Sequence, residues 1–230
     1  MPEDHHAAAW QHISAVGEAA GITVVGACQA CADDVEADFA GVTLISAGKL
    51  RLLAAATDER ARAVEDAQLV AGEGPCTEAL TRRGPVEVPD LHDEAARWPA
   101  FASIAAEQGV RSILALPLMI GTLRLGAMDL NRCAPGRFTP AQRDRAGAYA
   151  RILALLALDE HPRLLTTRLQ PTERGPQGYP PSVYQAAGVL AARWGLAPDD
   201  ALARIRAHSF RHNQPLLRTA EHVLDHQRLD

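Results

Sequence analysis

Five side chains near the C-terminus have the type and spacing to grip a polyanion: Arg204, Arg206, His208, Arg211 and Arg218. On a helix, Arg204, His208 and Arg211 share one strip at intervals of four and three, with Arg206 on the far side. Guanidinium forks match phosphate oxygens, and their planes stack on unpaired bases. The pattern alone fits a solvated charged face as well, because exposed arginines are ordinary. Cys76 is a second candidate. It follows Pro75 at a helix start, where the dipole can lower a thiol pKa. Such a thiol could sense redox state, although disulfide chemistry there needs a resolving cysteine that neither Cys31 nor Cys133 is shown to supply. Cys28-x-x-Cys31 has no matching pair, so a closed zinc site lacks two ligands and free thiols are expected. Neither a metal nor a cofactor is expected. Gly-x-Ser-x-Gly, Walker and His-Glu-x-x-His patterns are absent from the sequence, which argues against those enzyme classes.

The elements that must hold these residues fit a chain of 230 residues, long enough for one or two domains. The net charge of −5 means that any nucleic-acid contact is a local patch on an acidic body. Lys49 is the only lysine, so arginine supplies the positive charge. The longest candidate for a membrane span, Ile152 to Leu158, falls far short of the roughly 20 apolar residues needed. The N-terminus has neither a basic cluster nor a signal-like apolar run, which points to the cytoplasm. His5-His6 reads as a mobile terminus, and Asp33-Asp34 as a solvated helix end.

Residues 6–37 read as helix, broken at Gly21, with Trp10, Ile13 and Val16 on an apolar stripe. Ala40 to Ser46 and Leu50 to Ala56 form a hairpin around Ala47-Gly48. Residues 59–71 are helical. Gly72-Glu73-Gly74-Pro75 then breaks the chain before a short helix through Leu80. A short strand at Pro85 to Asp90 and a helix over 99–108 precede a second hairpin, Arg111 to Pro117 with Thr122 to Leu130, turning at Gly121. Thr139 caps a long helix with Pro140 in its first turn, ending near Asp159.

Residues 161–181 are dense in proline and glycine and read as a linker. Three helices follow: Val183 to Trp194, stopped by Gly195; Pro198 to about Arg211; and one opened by Asn213 that runs to about Gln227. The core stripes are Ala201, Leu202, Ile205 and Ser209 on the second helix, and Leu216, Leu217, Ala220, Val223 and Leu224 on the third, with Arg218 and Glu221 outward. Trp194 and Phe210 are expected in the core, where aromatics of small bundles usually fill space. About 45 residues make a marginal core, so the trio should lean on a neighbour.

Five stretches carry a resemblance over roughly residues 35–158: Gly41-Val42-Thr43-Leu44, Gly72-Glu73-Gly74-Pro75-Cys76, the Pro85 to Asp90 strand, Ser112 to Leu118, and Gly126-Ala127-Met128-Asp129-Leu130. Here the chain resembles the GAF family of signal-sensing domains. Gln185 to Leu190, Gly195-Leu196, Ala201 to Ser209 and Asn213 to Ala220 resemble the ANTAR family of three-helix RNA-binding antiterminators. Many ANTAR members carry lysine after the first alanine, where this chain has Ala187.

The resemblances imply an α+β fold, a GAF-like antiparallel sheet flanked by helices plus a C-terminal three-helix bundle. The expected parts are N-terminal helices over 1–34, a sensor domain over 35–160, a linker over 161–181 and an RNA-binding module over 182–230. They further imply that the arginine strip binds RNA stem-loops in nascent messenger RNA and that the front domain receives a small-molecule or protein signal. Glu73, Cys76, Asp90 and Arg111 are candidate pocket residues by that analogy. A leucine-rich terminal helix behind such a domain suggests a homodimer. The alternatives are a redox sensor or methionine sulfoxide reductase using Cys76, and a protein-interaction module without RNA.

Overall fold

The structure, a computed structural model, describes residues 2–17, 21–46, 49–161, 181–212 and 214–229. Helices α1 (Pro2–Gly17) and α2 (Val24–Asp34) lead into a hairpin of β1 (Phe39–Ser46) and β2 (Lys49–Ala56). Helices α3 (Glu59–Ala71) and α4 (Pro75–Arg82), the short strand β3 (Val86–Val88), α5 (Leu91–Glu94), a 3-10 turn (Ala95–Arg97) and α6 (Pro99–Glu107) follow. The second hairpin pairs β4 (Ser112–Ile120) with β5 (Leu123–Arg132), and α7 (Pro140–Glu160) closes the domain. The five strands form one antiparallel sheet in the order β2-β1-β5-β4-β3.

Strand alternation sends successive side chains to opposite faces. Val42, Leu44, Leu114, Met128 and Leu130 pack beneath α1, α2 and α7. Phe39, Ile113, Ala115 and Val88 face the other side with α3 and α6. Thr43 and Asp129 also belong to this second face by parity, polar positions inside an apolar layer, both fully buried. The β4–β5 turn needs a left-handed residue, supplied by Gly121 at φ 57°.

Helix α7 starts where Thr139 accepts the Gln142 N–H and the Gln142 side chain accepts the Thr139 N–H, a reciprocal cap with Pro140 at the first helical position. Gln142 also donates to the Val35 carbonyl, and Glu160 accepts from the Val24 N–H, so α2 is fastened to both ends of α7. Within the leucine-rich stretch Ile152 to Leu158, Ile152, Leu153 and Leu156 are buried in the domain's own core, and Leu155 is 49% exposed. His5 and His6 belong to α1, with His6 edge-on to Trp10, in place of a mobile end.

The tail comprises α8 (Pro181–Trp194), α9 (Pro198–Arg211) and α10 (Leu216–His226). All but the two end residues of the expected 161–181 linker lie outside the described residues, as do the Ala47-Gly48 turn and Asn213. Gly195, at φ 64°, stops α8. Ala201, Leu202, Ile205 and Ser209 are buried, the stripe that the spacing predicts. Helix α10 starts after Pro215, and its inward stripe is Leu216, Thr219, Ala220 and Val223. Leu217, expected in the core, stands about 100° round the helix from Leu216 and is 39% exposed. The small bundle does lean on a neighbour, because Leu69 and Val70 from the last turn of α3 join its core. Full burial of side chains this size contributes about 1.5–3 kcal/mol each. Among the described residues no helix is long and apolar enough to cross a membrane.

Candidate functional site

On the outer side of α9, Arg204 and Arg211 are exposed one above the other, two turns apart. The Arg204 guanidinium lies 5.5 Å from the centre of the Trp194 ring. His208 sits between the two arginines, its ring 4.2 Å from that of His212. Arg218 on α10 meets Glu221 at 3.3 Å, a pair with both side chains largely in water and therefore weak. Among the described residues no carboxylate pairs with Arg204 or Arg211.

Trp194 and Phe210 correct the sequence expectation, being 38% and 45% exposed. Leucine, isoleucine, valine and alanine already fill the space between three short helices. Phe210 follows Ser209 by one position, about 100° off the inward stripe, and turns towards the groove between tail and front domain with Ala63, Ala67 and Ile104. Arg206 lies elsewhere. Its Nε donates to the Val70 carbonyl at 2.9 Å, at the C-terminal end of α3, where the helix dipole favours a cation. The guanidinium presses on Gly72, where a Cβ would come 2.1 Å from Nη2. Arg206 thus fastens the tail to the front domain, apart from the Arg204–Arg211 strip. Ala187 is buried in the tail's core, so the position at which this chain departs from the ANTAR pattern faces inward.

The four candidate pocket residues are divided among three places. Glu73 accepts the backbone N–H groups of Ala100 and Phe101 and so caps α6. Asp90 accepts two hydrogen bonds from Arg111, at 2.6 and 3.2 Å, and this partner holds its carboxyl below the usual range. Cys76 alone lies inside the domain, fully buried, beside Glu65 and Asp129.

Glu65 and Gln68 come from α3, Cys76 from the start of α4, and Thr43 and Asp129 from the two central strands. Thr43 Oγ1 donates to Glu65 Oε2 at 2.6 Å, and Gln68 Nε2 donates to Asp129 Oδ2 at 2.5 Å. Gln68 Oε1 accepts the Cys76 N–H at 2.9 Å. Burial raises the Glu65 carboxyl well above its ordinary range, helped by the charge on Asp129. It pushes Asp129 up to about 6, against the neighbouring Cys76 thiol and the hydrogen bond from Gln68, which lower it. The Cys76 thiol is raised as well, first by burial and then by the two carboxylates. These outweigh any lowering by the α4 dipole, so Cys76 without a further partner is a protonated, inaccessible thiol.

A direct measurement follows. Thiol titration of the native chain should detect one rapidly reacting cysteine, Cys133, because Cys28, Cys31 and Cys76 are buried. All four should react in denaturant. A second fast thiol that disappears in Cys76→Ser would restore the redox reading.

Sequence reasoning missed Glu65 and Gln68. The available signal was their place on the Ala61, Val64, Gln68 side of α3, where a charged residue on a buried stripe is unusual.

A family model described as "GAF domain" matches residues 17–156, and one described as "ANTAR domain" matches residues 181–224. The first match begins well before residue 35 and takes in α2. Among solved structures, the GAF domain of a phosphoenolpyruvate-protein phosphotransferase from Acinetobacter is similar at a TM-score of 0.53 and 19% identity, over 69% of this chain and 93% of that one. The GAF domain of a phosphoenolpyruvate-protein phosphotransferase from Coxiella burnetii is similar at 0.50 and 15% identity, over 70% and 95%. A type II free methionine-R-sulfoxide reductase from Thermoplasma acidophilum reaches 0.45 at 20% identity, over 58% and 88%, too slight a likeness to carry its chemistry across. At these identities the first two likenesses concern the fold. No curated protein matches the chain.

Proposed function

The chain belongs to the GAF domain family and carries an ANTAR domain behind it, and from this premise we propose that it is a non-enzymatic, RNA-binding regulator of transcription termination. The observation that carries the reading is the exposed strip of Arg204 and Arg211 on α9, with Trp194 beneath Arg204 and no carboxylate partner among the described residues. Guanidinium groups in this setting bind phosphates, and an exposed indole offers a stacking surface for an unpaired base. Stem-loop RNA presents both. Holding such stem-loops in a nascent transcript would disfavour the terminator hairpin. Crosslinking in cells followed by sequencing of bound RNA should enrich stem-loops upstream of terminators. A protein-interaction module without RNA is the reading that remains if no structured RNA is enriched.

Helix α3 supports a route from signal to tail. Glu65 and Gln68 reach the buried polar cluster, Leu69 and Val70 join the tail's core, and the Val70 carbonyl holds Arg206. A small-molecule or protein signal that bound one setting of α3 better than another would bias how firmly the tail is held. Arg206→Ala removes a charge-assisted bond of about 1.5–3 kcal/mol. Amide exchange in α9 and in the last turn of α3 should accelerate, while exchange in β4 and β5 stays unchanged. Unaltered exchange in α9 would show that Arg206 does not hold the tail.

A further inference from the structure

We propose that Glu65, Cys76 and Asp129 hold one divalent, thiolate-accepting cation of the zinc type inside the sensor domain. One ligand atom from each lies within 4.8 Å of the others, and all three side chains are buried. A tetrahedral zinc ion binds sulfur at about 2.3 Å and carboxylate oxygen at about 2.0–2.2 Å. Its ligand atoms then stand roughly 3.5 Å apart. Closing the site therefore requires a contraction of at most about 1.3 Å.

A second observation points to a ligand. Glu65 Oε1 and Asp129 Oδ1 are buried and have no hydrogen-bond partner, while the other oxygen of each carboxylate is held by Thr43 or Gln68. Buried carboxylate oxygens without partners are costly and uncommon. Hydrogen bonds to the far oxygens are also how metal sites orient their carboxylates. Among the described residues no basic side chain forms an ion pair with Glu65 or Asp129, so only hydrogen bonds from neutral groups offset their charge.

The backbone makes room for this arrangement. A Cβ at Gly41 would stand 2.5 Å from Glu65 Oε1, and one at Gly74 would stand 2.4 Å from Gln68 Oε1. Gly74 also adopts φ 134°, which a side chain would resist. Three protein ligands leave one position of a tetrahedral ion for water or an incoming ligand, the arrangement of reactive rather than closed structural sites. The inference gives the sensor half of the proposed function a chemical class of ligand, and it holds whatever the tail binds.

The test uses the full-length chain, reduced, stripped with chelator and titrated with cobalt(II), without RNA. One equivalent should bind with thiolate-to-cobalt charge-transfer absorption, and zinc should displace it. Cys76→Ser should abolish that absorption. Glu65→Gln and Asp129→Asn should each weaken binding at least tenfold, with unfolding curves confirming that the variants remain folded. Cys28→Ala/Cys31→Ala should keep the signal. So should His222→Ala/His226→Ala, which removes the stacked histidine pair on α10 that could chelate cobalt without a thiolate. If the wild-type chain gives no charge-transfer absorption with equimolar cobalt, or if the absorption survives in Cys76→Ser, the proposal is overturned. Loss of RNA binding alone would not affect it.

Discussion

Replacing Arg204 and Arg211 together by alanine is expected to weaken binding of stem-loop RNA at least tenfold while leaving the far-ultraviolet circular dichroism of the chain unchanged. Both side chains are exposed on α9, so their removal leaves no buried partner unsatisfied and no cavity. Each phosphate neutralised on duplex nucleic acid adds about 0.9 to the slope of log affinity against log salt, and about 0.7 on single strands. Losing two contacts should flatten that slope by roughly 1.5–2. The gap between wild type and variant should therefore be widest at low salt and narrow about tenfold as salt rises fourfold. Arg218→Ala should cost less, because its guanidinium is already shared with Glu221. Fluorescence anisotropy across a salt series measures both quantities. An unchanged slope in the double variant would place the RNA elsewhere or nowhere on this chain.

Gly126→Ala is expected to destabilise the sensor domain by about 3 kcal/mol or more, the cost of forcing volume into a packed site that cannot relax. Gly126 lies opposite Leu44 where β5 pairs with β1. A Cβ there would fall 2.3 Å from the Thr43 carbonyl oxygen and 2.9 Å from Leu44 Cα. Both obstacles are backbone atoms of the adjacent central strand, so no rotamer change relieves them and the two strands must separate. For a domain of this size the melting temperature should fall by roughly 10 °C. Thr43 and Asp129 flank the contact and hold up the buried cluster, so cobalt binding should be lost with it. Gly147→Ala and Gly188→Ala are the controls. Both positions lie within helices and meet no atom within 4 Å, so alanine should be neutral or stabilising by up to about 1 kcal/mol. Urea unfolding of the three variants reads the difference. Equal stability of Gly126→Ala and wild type would mean that β1 and β5 are not packed as closely as described.

The two variants bear on different levels of the chain. Arg204 and Arg211 were visible as a pair because seven residues are two helical turns, whatever the helix packs against. Gly126 was visible as part of a motif, but its reason was not, since the obstacle is a strand more than eighty residues away. The same division runs through the candidate sites. Glu73 stood out in the Gly72 to Cys76 loop and serves as a helix cap on α6. Asp90 and Arg111, pocket candidates by family resemblance, pair with each other. Glu65, in a stretch read only as helical, lies at the centre of the buried cluster.

What residue order establishes here is local. Thr139 with Pro140, Gly195, Gly121 and the stripe of Ala201, Leu202, Ile205 and Ser209 act within a few residues, where side-chain hydrogen bonds, allowed φ values and the helical repeat suffice. Packing settles the remainder. It brings Glu65, Cys76 and Asp129 together from two helices and a strand, turns Arg206 onto α3, and leaves Trp194 and Phe210 in water. Burial and pairing depend on which surfaces meet. For elements separated by tens of residues, that is decided by the shape and volume of the whole core.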